Sequence, residues 1–455
     1  MKRHLIAGRF GPSDRAAVPT GVDETGTRLN LVSGRRRFAH GIGDALDDLA
    51  RLNVFASELG LDLLILAAHV HAADTRISRD TESQDSWTRE IRLVVPVSDP
   101  RRWMSSTSLL QRMLNFLTGD RWTLGFRSRP TGFETVVPAR PPQLSPPPFN
   151  SLALFSGGLD SLIGAIDSLE QGQIPLFISH AGEGATSASQ ENIFRGLTRH
   201  YAGRDFNRLR IWMSFPDGLV RNVTSEKTTR GRSFLFLAAG IFAGTGLPGP
   251  FTLRVPENGL IALNVPLDPL RLGALSTRTT HPFYMARWNE LLTALGISGR
   301  VENAYWDKTK GEMVANCSNR ALLLSLLPKT YSCASPTKGR WLGIGTQHCG
   351  FCLPCLIRRA AVLKGLGTMD PTSYTVADLA SHVLNTRQAE GMQVRSFQYA
   401  IERLQSRPAL AEMLIHKPGP LTEQSPAGKA ALADVYRRGL EEIAHLLNDV
   451  ETAPG

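Results

Sequence analysis

Short apolar runs at Leu61–Ala68 (LDLLILAA), Ile91–Val97, Leu152–Phe155, Pro175–Ser179, Leu209–Met213 and Phe251–Val255 read as strands. Apolar positions at helical spacing mark Asp44–Asn53, Thr107–Leu117, a helix opening at Leu159, Ser233–Ala243 and Ala427–Leu447. From Ser151 onward strands alternate with helices. That order predicts crossover units, and so an α/β fold with a parallel sheet and helices on both faces. The earlier segment reads as a small α+β domain, residues 1–137. Between them lies PARPPQLSPPP, a stiff extended connector within 138–150. Residues 151–370 form the α/β domain, and 371–455 form a helical extension that caps the domain or binds a partner.

Hydrophobic residues make up 42% and charged residues 20% of the 455. This ordinary globular balance excludes wholesale disorder and fibrous repeats. The longest apolar stretch, Ser233–Gly246, falls short of the roughly 18 residues of a membrane span. The basic start Met1-Lys2-Arg3 leads to Gly8, Arg9 and Gly11 rather than an apolar stretch, so no secretory signal is expected. Five clustered cysteines suit a reducing compartment, and a cytoplasmic location is the expectation. A net charge of +10 is compatible with anionic partners. The run Arg35-Arg36-Arg37 is either an RNA contact or a solvated loop. His69, His71, Asp74, Arg76 and Arg89 fall near predicted strand ends. They are read as fixing loops or touching a partner, with catalysis as the alternative.

Two segments carry chemistry. Ser156-Gly157-Gly158-Leu159-Asp160-Ser161 follows a strand and opens a helix. Its glycines allow a sharp turn close to a ligand. The amides at the helix start make an anion site, and Ser156 and Ser161 add hydroxyl donors. Asp160 is unusual beside a phosphate unless a cation accompanies it, and Mg²⁺ is the expected one. The second segment is Cys333 with Cys349-x-x-Cys352-x-x-Cys355, whose spacing lets four thiolates close around one metal. Structural Zn²⁺ is the expectation, with an iron–sulfur cluster or buried thiols as alternatives. Arg358 and Arg359 would offset the charge of the site. Cys317, outside the pattern, reads as a buried small apolar residue.

The SGGLDS loop resembles that of the PP-loop ATP pyrophosphatases. Its pairing with the cysteine cluster resembles the 7-cyano-7-deazaguanine synthase (QueC) family. Tyr331-Ser332-Cys333, Lys308-Thr309-Lys310-Gly311-Glu312-Met313-Val314 and Arg232-Ser233-Phe234-Leu235-Phe236-Leu237 are similar to segments of that family. The resemblance covers about 150 to 370. It departs at His180-Ala181-Gly182-Glu183-Gly184 and at Ser276–Pro282, and the N- and C-terminal additions are foreign to the housekeeping enzymes. With those additions the chain looks more like the QueC-like components of the Qat anti-phage defence systems (QatC).

The resemblance implies a HUP-like adenine nucleotide alpha hydrolase sheet. It implies an enzyme that uses ATP and Mg²⁺ to convert a 7-deazaguanine carboxylate into an acyl adenylate, releasing pyrophosphate. An amide or nitrile would follow, or transfer to an amine of a partner protein. Residues 156–161 would hold the phosphates, and Asp160 the Mg²⁺. Arg232, Lys308 and Lys310 would stabilise charge near the α phosphate. Glu257-Asn258-Gly259 follows the predicted strand Phe251–Val255, and Glu257 or Asn258 is a candidate contact to the edge of a guanine-like base, with a plain turn as the alternative. The alternatives are a tRNA-modifying PP-loop enzyme and a nucleotide-sensing scaffold without turnover.

Overall fold

The computed structural model describes residues 2–33, 37–83, 85–142, 144–182, 184–268, 278–334 and 343–455. Arg35 and Arg36 of the basic run, Glu183, and Ser276 and Thr277 lie outside the described residues.

Two parallel sheets organise the fold. The first contains β1 (Arg3–Arg9), β2 (Glu24–Asn30), β3 (Glu90–Val97) and β4 (Arg121–Ser128), in the order β2-β1-β3-β4. The second contains β5 (Ser151–Leu154), β6 (Pro175–His180), β7 (Asn207–Ile211), β8 (Phe251–Arg254) and β9 (Gly299–Glu302), in the order β7-β6-β5-β8-β9. Helices cover both faces, and the chain is an α/β protein. The N-terminal segment is α/β as well, since its strands are all parallel, where α+β was expected.

The run Leu61–Ala68 is not a strand. It lies inside a helix, Glu58–Arg76, that is buried along nearly its whole length. A helix apolar on every side shows no period, so its apolar run reads like a buried strand. Local signals favour the helix. The Ser57 side chain caps it by accepting from the Gly60 N–H at 3.1 Å, Glu58 opens it and Arg76 closes it. Leu and Ala, strong helix formers, dominate its sequence. His69, His71, Asp74 and Arg76 therefore sit on this helix rather than at strand ends.

This helix packs against Arg232–Gly244, which belongs to the second sheet. Gly60 allows the approach, because a Cβ there would lie 2.3 Å from the Thr245 hydroxyl. Leu61, Leu64 and Ala68 join Leu235, Ala239 and Phe242 in one buried cluster. The proline-rich connector thus divides the sequence but not the core. The C-terminal extension packs as a cap. Its helices Ala389–Ser406 and Pro426–Leu446 share a second core with Leu260, Leu263 and the residues around the cysteines.

Candidate functional site

In the second sheet the chain runs outward from β5 to β7, then returns to the other side of β5 as β8. The loops after β5 and β8 diverge there, and in open parallel sheets such a switch point forms the ligand crevice. A cavity of about 300 Å³ occupies it. Ser156 and Ser161 line it from the β5 loop, His180 from the end of β6, and Glu257 from the β8 loop. Arg232, Phe236, Gln190 and Tyr331 complete its polar and aromatic wall.

The β5 loop has the expected turn. Gly157 has φ +85°, and a Cβ there would lie 3.0 Å from the Gln190 side chain. The Ser161 hydroxyl accepts from the Gly157 N–H at 3.1 Å and donates to the Gly158 carbonyl at 2.9 Å. Gly158 precedes the helix Leu159–Glu170, and no side chain caps that helix. Its leading amides therefore lie without a side-chain cap at the end of the loop, where the helix dipole adds partial positive charge. The Gly157 carbonyl accepts from the Ser189 hydroxyl at 2.7 Å and the Tyr331 N–H at 2.9 Å, which hold the loop from behind. Gln190 donates to the carbonyls of Ser156 at 3.3 Å and His180 at 3.1 Å. Neither Ser189 nor Gln190 has a sequence signal, because both reach the loop from a separate helix, Gly184–His200, about 30 residues along the chain.

Arg232 is the first residue of its helix, and its guanidinium lies 5.0 Å from the centre of the Phe236 ring. The lysines divide. Lys310 lies 2.9 Å from the Asp160 carboxylate, and both side chains are largely buried. Asn258 also donates to Asp160, through its side-chain amide at 2.8 Å and its backbone N–H at 3.2 Å. Lys310 thus occupies the place of the cation that Asp160 demands, and the residues do not fit Asp160 as a free Mg²⁺ ligand. Lys308 is half-exposed, 3.4 Å from Asp307, and is not part of the cavity wall. Asn258 caps the short helix Gly259–Leu263.

Glu257 accepts a hydrogen bond from the Thr280 hydroxyl, and burial pushes its carboxyl up to about 7. Burial lowers His180 to about 3, helped by His71 and Arg232 nearby, so it is neutral at pH 7. The ring centres of His71 and His180 are 5.7 Å apart.

The other singled-out N-terminal residues have structural partners. Arg89 is fully buried and pairs with Asp74 at 3.0 Å and Asp120 at 2.6 Å. His69 bonds the Ile65 carbonyl at 2.7 Å. Arg76 reaches the Pro216 carbonyl at 3.0 Å. Arg37 pairs with Asp44 and Asp47 at the surface.

The four cysteines converge. The Sγ atoms of Cys333, Cys349, Cys352 and Cys355 all lie within 4.8 Å of one another. The Cys333–Cys352 and Cys349–Cys355 separations are both 3.9 Å. A tetrahedron with Zn–S bonds of 2.3 Å has edges of about 3.8 Å, so the thiols fit a metal ion such as zinc. Cys352 directly precedes the helix Leu353–Leu366 without capping it through its side chain, and its N–H lies 3.3 Å from the Cys349 sulfur. Arg358 does not offset the cluster, because its charge meets Asp370 at 2.8 Å. Arg359 ties Gly350 and Ala377 through their carbonyls. Cys317 is buried, and its thiol is pushed up to about 12.

Among the described residues no helix is long and apolar enough to cross a membrane. Comparison with protein-family models and with curated proteins gives no match. The structure defines an α/β protein with a largely apolar cavity, carrying a few polar side chains, at a sheet switch point and a four-cysteine cluster that could hold a metal ion.

Proposed function

We propose that this protein is an ATP-dependent activating enzyme of the PP-loop type. One observation carries the reading. The glycine-turned loop 156–161, at an uncapped helix N-terminus, opens on the same cavity as Arg232 and Glu257. An anion cradle, a cation and a carboxyl then surround one space large enough for part of a nucleotide and an acceptor.

ATP would enter with Mg²⁺ as its own counter-ion. The loop amides and the hydroxyls of Ser156 and Ser161 hold the leaving phosphates. A carboxylate oxygen of the substrate attacks the α phosphorus. The bond to the bridging oxygen breaks, and its electron pair leaves with pyrophosphate. Arg232 balances the charge that builds during this in-line displacement. The acyl adenylate then passes its acyl group to an amine, which loses a proton as AMP departs. The resemblance of the motifs makes a 7-deazaguanine carboxylate the substrate. The added segments favour an amine on a partner protein, in anti-phage defence. A thiolating tRNA enzyme is disfavoured, since Cys317 is held as a protonated thiol.

The test incubates the protein with ATP, Mg²⁺ and 7-carboxy-7-deazaguanine, with and without ammonia, and follows AMP and the base by mass spectrometry. AMP that depends on the base is the expected result. ATP hydrolysis to ADP, or no base dependence with any amine supplied, would overturn the reading.

A further inference from the structure

Buried carboxylates elsewhere in the described residues face a cation. Asp62 has Arg129, Asp120 has Arg89, Asp370 has Arg358 and Asp160 has Lys310. Glu442, the exception outside the cavity, is satisfied by the Thr309 hydroxyl and by the Gly311 N–H at 3.1 Å. Glu257 differs from all of these. Its carboxyl belongs to the cavity wall, and its hydrogen-bond partner there is the Thr280 hydroxyl. No Arg, Lys or His among the described residues pairs with it, and the Lys310 ammonium nearby is already committed to Asp160. Glu257 is partly exposed, and it is the cavity that it faces, so the oxygen that Thr280 leaves unbonded is open to a donor from whatever occupies that space.

The backbone around Glu257 is fixed for such a role. Asn303 donates to the Glu257 carbonyl at 2.7 Å, and the next residue, Asn258, is locked to Asp160 and to its own helix. The carboxyl therefore stands on a rigid turn and lines the same cavity as the aromatic pair His180 and Phe236, whose ring centres are 5.5 Å apart. A planar heterocycle is the ligand shape that suits a cavity holding both an aromatic pair and a carboxyl.

We infer that Glu257 is the specificity-determining residue of the acceptor subsite, where it reads a planar heterocycle through two adjacent N–H donors. The edge is that of a 2-amino-4-oxopyrimidine, a ring N–H beside an exocyclic amine. The two carboxylate oxygens accept both hydrogens in a bidentate pair, as carboxylates do with other paired donors. The burial that raises the free carboxyl toward neutrality is relieved when those donors arrive. The inference rests on the proposed reading of the cavity as an activation site, and it adds which part of the substrate is recognised.

The experiment compares 7-carboxy-7-deazaguanine with its analogue lacking the 2-amino group, in the wild type and in Glu257→Gln. AMP formation gives kcat and KM for each. The wild type should prefer the 2-amino substrate by at least about tenfold, since a site built for a donor leaves its acceptor unpaired without one. E257Q should lose most of that preference through KM, with the KM for ATP unchanged. Thr280→Val, which frees the carboxyl to turn, should move selectivity the same way by a smaller factor. Equal losses on both substrates, or none, would overturn the inference. If the wild type makes no AMP with either compound, the activation reading fails, and calorimetry with 7-deazaguanine decides the rest. Binding by the wild type and not by E257Q supports the role of Glu257, whereas equal binding or none overturns it.

Discussion

Replacing Cys349 with serine tests how the cysteine centre is coupled to the loop 156–161, the proposed phosphate site. Cys349 is fully buried, and its Sγ stands 3.9 Å from that of Cys355. With one thiolate lost, a tetrahedral metal keeps three ligands, and affinity falls steeply. The coupling runs through few atoms. Cys333 is two residues from Tyr331, whose ring centre lies 4.7 Å from that of His348, next to Cys349. The Ser332 N–H lies 3.2 Å from His348 Nε2, and the Tyr331 N–H donates to the Gly157 carbonyl at 2.9 Å. Freeing this strap removes one hydrogen bond from the loop, worth about 0.5–1.5 kcal/mol. ATP affinity should therefore fall by about 2- to 13-fold rather than vanish, because Ser189 still holds the Gly157 carbonyl. Metal content by mass spectrometry and ATP binding by calorimetry, on wild type, chelated wild type and C349S, measure the two quantities. Wild type and C349S with equal metal content would refute the site. Metal loss without any change in ATP affinity would refute the coupling.

Three further outcomes follow from the same geometry. Gly157→Ala places a Cβ 3.0 Å from Gln190 at a φ of +85°, and should weaken ATP binding roughly tenfold. Gly172→Ala meets the same kind of strain (φ +74°) with nothing within 4 Å and should leave ATP binding intact, as calorimetry on both variants would show. Lys310→Met strands the buried Asp160 carboxylate and should cost about 3–5 kcal/mol in denaturant unfolding, most of it recovered when Asp160→Asn is added. Glu257 holds its proton more tightly folded than unfolded, so its contribution is fullest below pH 4.5 and is lost as pH rises through about 7. Melting curves of Glu257→Gln against wild type should therefore diverge across that window in favour of the variant, by at most about 3 kcal/mol.

The elements that sequence reading placed well are those with a marked start. The helix at Leu159 opens on a glycine pair, and β5, β6 and β8 are short apolar runs between turns. The cysteine centre was legible because thiol spacing alone constrains where sulfur can go. The misplaced element is the most buried one, Glu58–Arg76, where uniform burial erases the period that marks a helix. β2 went unseen for the opposite reason: ETGTRLN is mostly polar, as suits an edge strand. The choice between Lys308 and Lys310 was invisible because it is geometric. Thr309 and Glu312 form a capping box that starts a helix at Lys310, which turns that side chain inward and leaves Lys308 outside.

The two added segments converge on the site rather than hang from it. Asp74, on the N-terminal helix, binds Arg89 with one carboxylate oxygen and the Gly231 N–H with the other, at 2.7 Å. Gly231 is the residue before Arg232, the cation of the cavity. From the other end, Glu442 binds Thr309 and Gly311 on either side of Lys310, while Arg438 holds Glu312 and the Asp307 carbonyl. Arg232 on the cavity wall and Lys310 at Asp160 are thus positioned by carboxylates from opposite additions. Cutting the chain at the proline connector would expose Leu235, Ala239 and Phe242 and release the tie on Gly231. The sheet that carries the loop is therefore not a self-sufficient unit, and its additions supply the second layer that aims its charges.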